Sequence, residues 1–506
     1  MTFFKKLING ILGKVGLRIV RTALKAPSHE FLNVLPLCDI LMQFDNMLEG
    51  GMENVAIDLA RALEGWGYSS AILVLGNAGV GAQKAVKKGL RVCVLPYCEQ
   101  TLWQELKQNR PKIVFAHYSF QGIHVYKSFK IPFVQILHNV YAWLDDAGKE
   151  MFAKAAMHTT FFVAVSESVK NFSVQKLGVL YEKCMTISNG IDLSLYTSEA
   201  VREAQVLRKC LGFSEDEFIF IGVASVNRAK RILAIVKSFH CIHDLAPRAR
   251  LILLGYPHDK GYLDEIQSYI NKNDLQDYIR YIGHTTTPEL YYLMSDAFVH
   301  ASSIEGGQLV LLEALTANLP IITTDVGFAC HFASYPSGIK VVERDFVYSP
   351  ESFAKSESFD SSTRFVSNFA FAMLKTCQSS TRPNLHQQII AAFDINQTYV
   401  QYEQLITKIL KLPSKTKPAT KWVELLSEPS IISVNDLPLV EDGFTENVIY
   451  TIAKYEAKVS ERDGIIAAKN TFLESILNSK SWKITSPLRA VMRVIKRPMK
   501  NDQKAD

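Results

Sequence analysis

The sequence has little of what marks a metal centre, a disulfide framework or a bilayer span. Its eight cysteines, Cys38, Cys93, Cys98, Cys184, Cys210, Cys241, Cys330 and Cys377, form no C-x-x-C pair and no zinc spacing. They read as reduced, mostly buried thiols of a cytoplasmic protein, which excludes a disulfide-stapled secreted fold. No stretch offers the roughly 20 uncharged apolar residues that cross a bilayer. The basic, apolar N-terminus shows no signal-peptide cleavage pattern. Leu75–Gln83 (LGNAGVGAQ) is rich in glycine but is not G-x-G-x-x-G, and Ala82-Gln83 replace the Lys-Ser/Thr of a P-loop. It reads as a loop, so dehydrogenase and nucleotide-hydrolase readings lose their anchor. Net charge is only +6 over 506 residues. Phosphates or an anionic membrane surface suit that balance, and nucleic acid is not indicated.

The chain does have two blocks of alternating elements. Apolar content of 48% with 21% charged residues describes a globular protein, and 506 residues imply two or three domains. Ser70–Leu75, Arg91–Leu95, Lys112–Ala116, Phe133–His138 and Thr160–Val165 read as buried strands, with helices such as Asn54–Glu64 and Trp103–Asn109 between them. The alternation restarts with strands Phe218–Val223, Arg250–Leu254, Ile279–Ile282, Ala297–His300 and Pro320–Thr323, and helices Lys230–His240, Tyr262–Asn271, Thr287–Met294 and Gln308–Ala317. A charged segment, Tyr196–Asp216, forms the break. This is an α/β pattern of two doubly wound, Rossmann-like domains facing a cleft, with ligands expected at the carboxyl ends of strands.

The expected division is residues 36–205 for the N-terminal domain, 214–395 for the C-terminal domain and 396–411 for a helix crossing back. Residues 412–445 form a proline-containing linker and 446–506 a C-terminal helical extension with a basic tail. Residues 1–30 hold a basic amphipathic helix, in which Phe4, Leu7, Ile8, Ile11, Leu12, Val15 and Ile19 recur at helical spacing with no acid before Glu30. Such a helix lies in a membrane interface or docks on its own domain.

Between strand Ala297–His300 and helix Gln308–Ala317, the stretch ASSIEGGQLVLLEAL holds Glu305 and Glu313 eight positions apart, with Gly306 and Gly307 after the first. The first N–H groups of a helix, here near Gln308, Leu309 and Val310, are unpaired and favour a phosphate. Gly306 and Gly307 let a ligand approach the backbone. An ionised carboxylate accepts hydroxyl donors. A nucleoside diphosphate sugar fits, with Glu305 at the sugar and Glu313 at the ribose. The bland alternative is that Glu305 caps the helix and Glu313 is solvated or salt-bridged.

This stretch resembles the E-x7-E motif of the retaining glycosyltransferases of family 4, which have the GT-B fold, and the resemblance covers most of residues 38–411. FDNMLEGGMENVAIDLARAL resembles the family's first Gly-rich loop and helix, with Gly50 and Gly51 at the turn. VAVSESVKNF, ISNGIDLSLY, LILLGYPHD and IRYIGH follow in the family's order. The resemblance implies a diphosphate clamp, for which GVASVNRAKRI supplies Lys230. Ser225 or Ala224 stands where the family usually has an arginine, and Arg228 or Arg231 is the substitute. It also implies that His138 borders the anomeric carbon, with His117 a second choice. The implied activity is metal-independent transfer of a sugar with retention, without a cofactor, from a nucleotide-sugar donor to a glycan or lipid-linked acceptor in bacterial cell-surface polysaccharide biosynthesis. Absence of a D-x-D motif agrees with that. In this reading His138, Lys230 and Glu305 carry the chemistry.

Two rivals remain: a nucleotide-sugar epimerase or hydrolase of the same fold, and an inactive, glycosyltransferase-like membrane scaffold. SILNSKSWKITSPLR, near the C-terminus, resembles a segment of bacterial polysaccharide glycosyltransferases. Trp482 with Arg489, Arg493, Lys496 and Arg497 suits an anionic membrane surface, so the enzyme is expected to be peripheral on the inner face of the cytoplasmic membrane.

Overall fold

The computed structural model describes residues 31–48, 50–332, 338–344, 362–379, 390–391 and 393–411. The N-terminal helix over 1–30, the linker over 412–445 and the extension over 446–506 lie outside the described residues.

The first unit runs β1 (Ile40–Phe44), α1 (Gly51–Gly65), β2 (Ser70–Val74), α2 (Val80–Lys87), β3 (Arg91–Val94), α3 (Glu99–Gln108), β4 (Ile113–His117), α4 (Ile123–Ser128), β5 (Phe133–Leu137), α5 (Asp146–Ala156), β6 (Phe161–Ala164), α6 (Glu167–Lys176) and β7 (Cys184–Thr186). Its seven strands are parallel in the order β3-β2-β1-β4-β5-β6-β7. The second runs α7 (Ser198–Cys210), β8 (Phe218–Val223), α8 (Ile232–Ile242), β9 (Ala249–Leu254), α9 (Lys260–Lys272), β10 (Ile279–Gly283), α10 (Pro288–Met294), β11 (Ala297–His300), α11 (Leu309–Thr316), β12 (Ile321–Thr324), α12 (Ala329–Phe332), β13 (Ile339–Val342) and α13 (Thr363–Gln378), and the chain then reaches α14 (Ile395–Leu410). Six parallel strands follow the order β10-β9-β8-β11-β12-β13.

Helices cover both faces of each sheet, which is why the strands read as continuous apolar runs. In the first sheet Ile40, Met42 and Phe44 pack with Ala56, Ile57, Ala60 and Leu63 of α1, while Leu41, Leu73 and Val114 face Leu102 and Leu106 of α3. In the second, Phe220 and Val299 pack with α8 and α13, and Ile219, Ile221 and Phe298 face Leu311, Leu312 and Leu315 of α11. The alternation of Ile219, Phe220 and Ile221 between faces is the period of a strand.

Two expectations need correction. The segment around Tyr196–Asp216 contains α7, whose buried Ala204 joins Ile219 and Ile221 in the second domain's core. The first domain therefore ends upstream of residue 205. The stretch Leu75–Gln83 is not all loop, because α2 starts at Val80. Its glycines serve packing: a Cβ on Gly81 would lie 2.2 Å from the Leu48 carbonyl oxygen.

Each sheet reverses its strand order once, between β1 and β4 and between β8 and β11, and ligands of such sheets gather at these points. α14 starts against the inter-domain segment, where Ile395 N–H donates to the Ile191 carbonyl (2.9 Å) and Thr398 Oγ1 to that of Ser188 (2.9 Å). It then buries Tyr402, Leu405 and Ile406 in the first domain's core.

Candidate active site

At the switch point of the second sheet, three charged or polar side chains converge. Lys230 lies in the 3₁₀ turn Arg228–Lys230 that follows β8. His300 ends β11 and Glu305 follows in the next loop. The two loops are tied at Ala229, whose carbonyl accepts from Ser303 N–H (2.8 Å) and from Ser303 Oγ (2.9 Å). Glu305 Oε1 accepts from Lys230 Nζ at 2.5 Å and lies 3.2 Å from His300 Nε2, while His300 Nδ1 lies 3.2 Å from Thr323 Oγ1. Burial alone would push the Glu305 carboxyl up, but the Lys230 ammonium and the His300 contact outweigh it and hold the carboxyl at about 2. Glu305 is therefore an ionised acceptor throughout the physiological range and does not cap the helix.

Helix α11 begins two residues beyond Gly307. Its apolar run buries Leu311, Leu312, Ala314 and Leu315, which anchors its amino end at the cleft. The side chain of Gln308 is already engaged, donating from Nε2 to the Val326 carbonyl (2.7 Å) and accepting at Oε1 from Phe328 N–H (2.7 Å). Gln308 thus fixes the helix start against the loop after β12, leaving the backbone N–H groups of Leu309 and Val310 for an anion. Glu313, in the second turn, accepts from Tyr292 Oη at 2.8 Å. Burial pushes its carboxyl up to about 7, with the Glu289 charge adding to the rise and the Tyr292 bond opposing it. Such a carboxyl gains most from added hydroxyl donors.

The first domain meets this loop directly. A Cβ on Gly306 would lie 2.0 Å from the His138 carbonyl oxygen, and one on Gly307 would lie 2.9 Å from the Phe328 ring. Ser166 Oγ donates to the Gly306 carbonyl (2.6 Å) and Ser168 Oγ to that of Gly327 (3.2 Å). Gly51 faces the Leu309 side chain, with a hypothetical Cβ at 3.9 Å, so the first Gly-rich turn abuts the amino end of α11. Gly50 instead approaches Glu53, at 2.7 Å from the carboxylate by the same measure.

His138 follows β5, and its Nε2 is 2.9 Å from Nδ1 of His117, the last residue of β4. Tyr118 adopts a left-handed backbone (φ 54°) and stacks on His138 at 5.7 Å. Burial and the Glu305 and Glu53 carboxylates raise the Tyr118 hydroxyl. Burial lowers His138 to about 3, so its ring is neutral.

Of the predicted residues, the structure brings together Lys230, Glu305, Gly306, Gly307, Gln308, Leu309, Val310, His138 and Gly51. It does not bring Arg228 to this cluster. Arg228 pairs with Glu265 and Asp259 and lies over the Tyr262 ring, so α9 holds it. Arg231 does not substitute either, being buried against Phe365. The sequence reading missed His300, although it ends a recognised strand five residues before Glu305. It also missed Tyr292, Ser166 and Ser303, which carry no spacing signal.

Two parallel-sheet domains with a Lys–Glu–His cluster and a helix start at the switch point of the second sheet define a GT-B architecture. The family described as "Glycosyltransferase Family 4" matches residues 49–195, and "Glycosyl transferases group 1" matches residues 204–339. The chain belongs to the family 4 glycosyltransferases. It is 30% identical over 244 residues to the alpha-monoglucosyldiacylglycerol synthase of Acholeplasma laidlawii, covering 43% of this chain and 60% of that one. It is 24% identical over 239 residues to an Escherichia coli UDP-Gal:alpha-D-GlcNAc-diphosphoundecaprenol alpha-1,3-galactosyltransferase, covering 45% and 61%. The matches thus span about 60% of these relatives' length. Among solved structures, Anabaena HepE in complex with UDP and glucose shares the fold, with a TM-score of 0.56, 15% identity, and coverage of 73% of this chain and 99% of that chain.

Proposed function

We propose that the protein transfers a sugar from a nucleoside diphosphate sugar to a glycan or lipid-linked acceptor, retaining the anomeric configuration and needing no metal. The observation that carries the reading is the Lys230–Glu305 pair, with Glu305 in the loop that leads into α11. A diphosphate arriving at the helix N–H groups draws the Lys230 ammonium, which frees Glu305 to accept from sugar hydroxyls. Glu313 accepts from the ribose. The anomeric carbon–phosphate bond breaks, the acceptor oxygen bonds to that carbon on the same face, and its proton passes to the leaving phosphate oxygen. Lys230 and the helix start stabilise the charge that develops on the diphosphate.

Acceptor binding falls to the first domain. There, an open groove of about 800 Å³ is lined by Tyr97, Phe120, His124, Met151 and Met157, with both methionines exposed. The names of two relatives, an alpha-monoglucosyldiacylglycerol synthase and a diphosphoundecaprenol galactosyltransferase, support a lipid-linked acceptor. The test is thermal unfolding with uridine and guanosine diphosphate sugars, on wild type and Glu305→Ala. A ligand at 100 times its Kd stabilises by about 2.7 kcal/mol. One donor is expected to stabilise wild type and not the variant, with no change in EDTA. Absence of any response to every donor overturns the reading.

A further inference from the structure

His117 and His138 meet at 2.9 Å, a distance that requires one of the facing nitrogens to carry a hydrogen and the other a lone pair. His117 is 1% exposed and its ring lies flat on Phe44, with centroids 4.6 Å apart and planes at 4°. Its other nitrogen, Nε2, is buried and has no hydrogen-bond partner among the described residues. Burial and the neighbouring His138 hold His117 well below the usual imidazole range, and burial does the same to His138, so neither ring is cationic at neutral pH.

Two neutral arrangements remain. If His138 Nε2–H donates, His117 must carry its own hydrogen on Nε2, which buries an N–H with nothing to bond. If His117 Nδ1–H donates, His117 Nε2 is a bare lone pair. Orphaned buried N–H groups are rarer than under-satisfied acceptors. The second arrangement therefore prevails. It makes His138 an acceptor at Nε2 and forces its hydrogen onto Nδ1.

We propose that His117 is a positioning residue that locks His138 in the Nδ1–H tautomer, so that His138 presents a fixed donor beside the Gly306 loop. The tautomer stands on the geometry of the free protein. Its use, donation to an oxygen of the bound sugar, rests on the sugar-transfer reading above. The held tautomer orients His138 as a donor without any charge, and Tyr118, stacked on the same ring at 5.7 Å, restrains its plane.

The test is long-range ¹H–¹⁵N correlation NMR of the full chain, ¹⁵N-labelled at histidine and without ligand, with His138 assigned by loss of its signals in His138→Gln. Wild-type His138 is expected to show a protonated Nδ1 and an unprotonated Nε2. His117→Asn keeps an N–H near the Nδ1 position and should preserve that pattern. His117→Phe keeps the stacked ring but removes the donor, and should release His138 to the Nε2–H form. Unchanged signals from the other histidines confirm that each variant is folded. A wild-type His138 protonated at Nε2, or a pattern indifferent to His117→Phe, overturns the proposal. With a donor in hand, His117→Phe should lower kcat/KM about tenfold, as for loss of one hydrogen bond, and His117→Asn should restore it. If no donor is turned over, the transfer reading fails while the NMR result still decides the tautomer.

Discussion

Replacing Lys230 by methionine removes the cation that holds Glu305 ionised and leaves a carboxylate with 13% side-chain exposure beside His300 alone. A carboxyl held at about 2 rather than 4.5 corresponds to about 3 kcal/mol of stability. Lys230 supplies the largest of the lowering influences, and both side chains are less than a third exposed, so most of that value is lost in Lys230→Met. For a domain of this size the melting temperature should fall by about 5–10 °C at pH 7. The sign with pH follows from the direction of the shift. Glu305 is lowered on folding, so its contribution is complete above pH 4.5 and is lost as pH falls toward 2. In the variant, burial raises the same carboxyl, so the variant should gain on wild type as the solution is acidified. Lys230→Met/Glu305→Gln carries no charge at either position and should recover most of the loss. Thermal unfolding of the three proteins between pH 7 and pH 4 reads all of this. A single variant as stable as wild type at pH 7, or a double variant no better than the single, refutes the coupling.

Three further outcomes follow from named contacts. Gly306→Ala puts a Cβ 2.0 Å from the His138 carbonyl oxygen, so the loop must shift away from the first domain; the melting temperature should drop by several degrees and stabilisation by donor should be lost, both read by thermal unfolding. Glu313, raised to about 7, should release a proton when ribose hydroxyls bond its ionised form, so nucleoside diphosphate affinity should rise between pH 6 and pH 8 and level off above. Calorimetry in two buffers of different ionisation enthalpy measures that release, and Glu313→Gln should abolish it. Arg228→Ala should change donor Kd less than about twofold, since Arg228 is held by Glu265 and Asp259, whereas loss of a charge-assisted contact in Lys230→Met should weaken it by at least about tenfold.

The two sheets were legible because buried parallel strands leave uninterrupted apolar runs such as Phe218–Val223 and Ile113–His117. The Glu305 loop was legible because it joins a strand end to an apolar helix. Helix α7 was not, since its buried positions include the small residues Ala200 and Ala204 on an otherwise charged surface. Arg228 looked like a clamp residue because nothing near it in sequence announces Glu265, 37 positions away. Gln308 looked like a ligand contact, but its amide is used by Val326 and Phe328, which come from the loop after the next strand. His117 and His138 lie 21 positions apart, and only the adjacency of β4 and β5 makes them a pair.

The most direct measurement is transfer itself. The full chain is incubated with the donor identified by thermal shift and with a lipid-linked glycan acceptor, and the product is examined by proton NMR at the new anomeric centre. The expected product keeps the donor's anomeric configuration, forms equally well in EDTA, and is absent with Glu305→Ala. An inverted product, release of free sugar without transfer, or full activity in Glu305→Ala would contradict the assignment of this cleft.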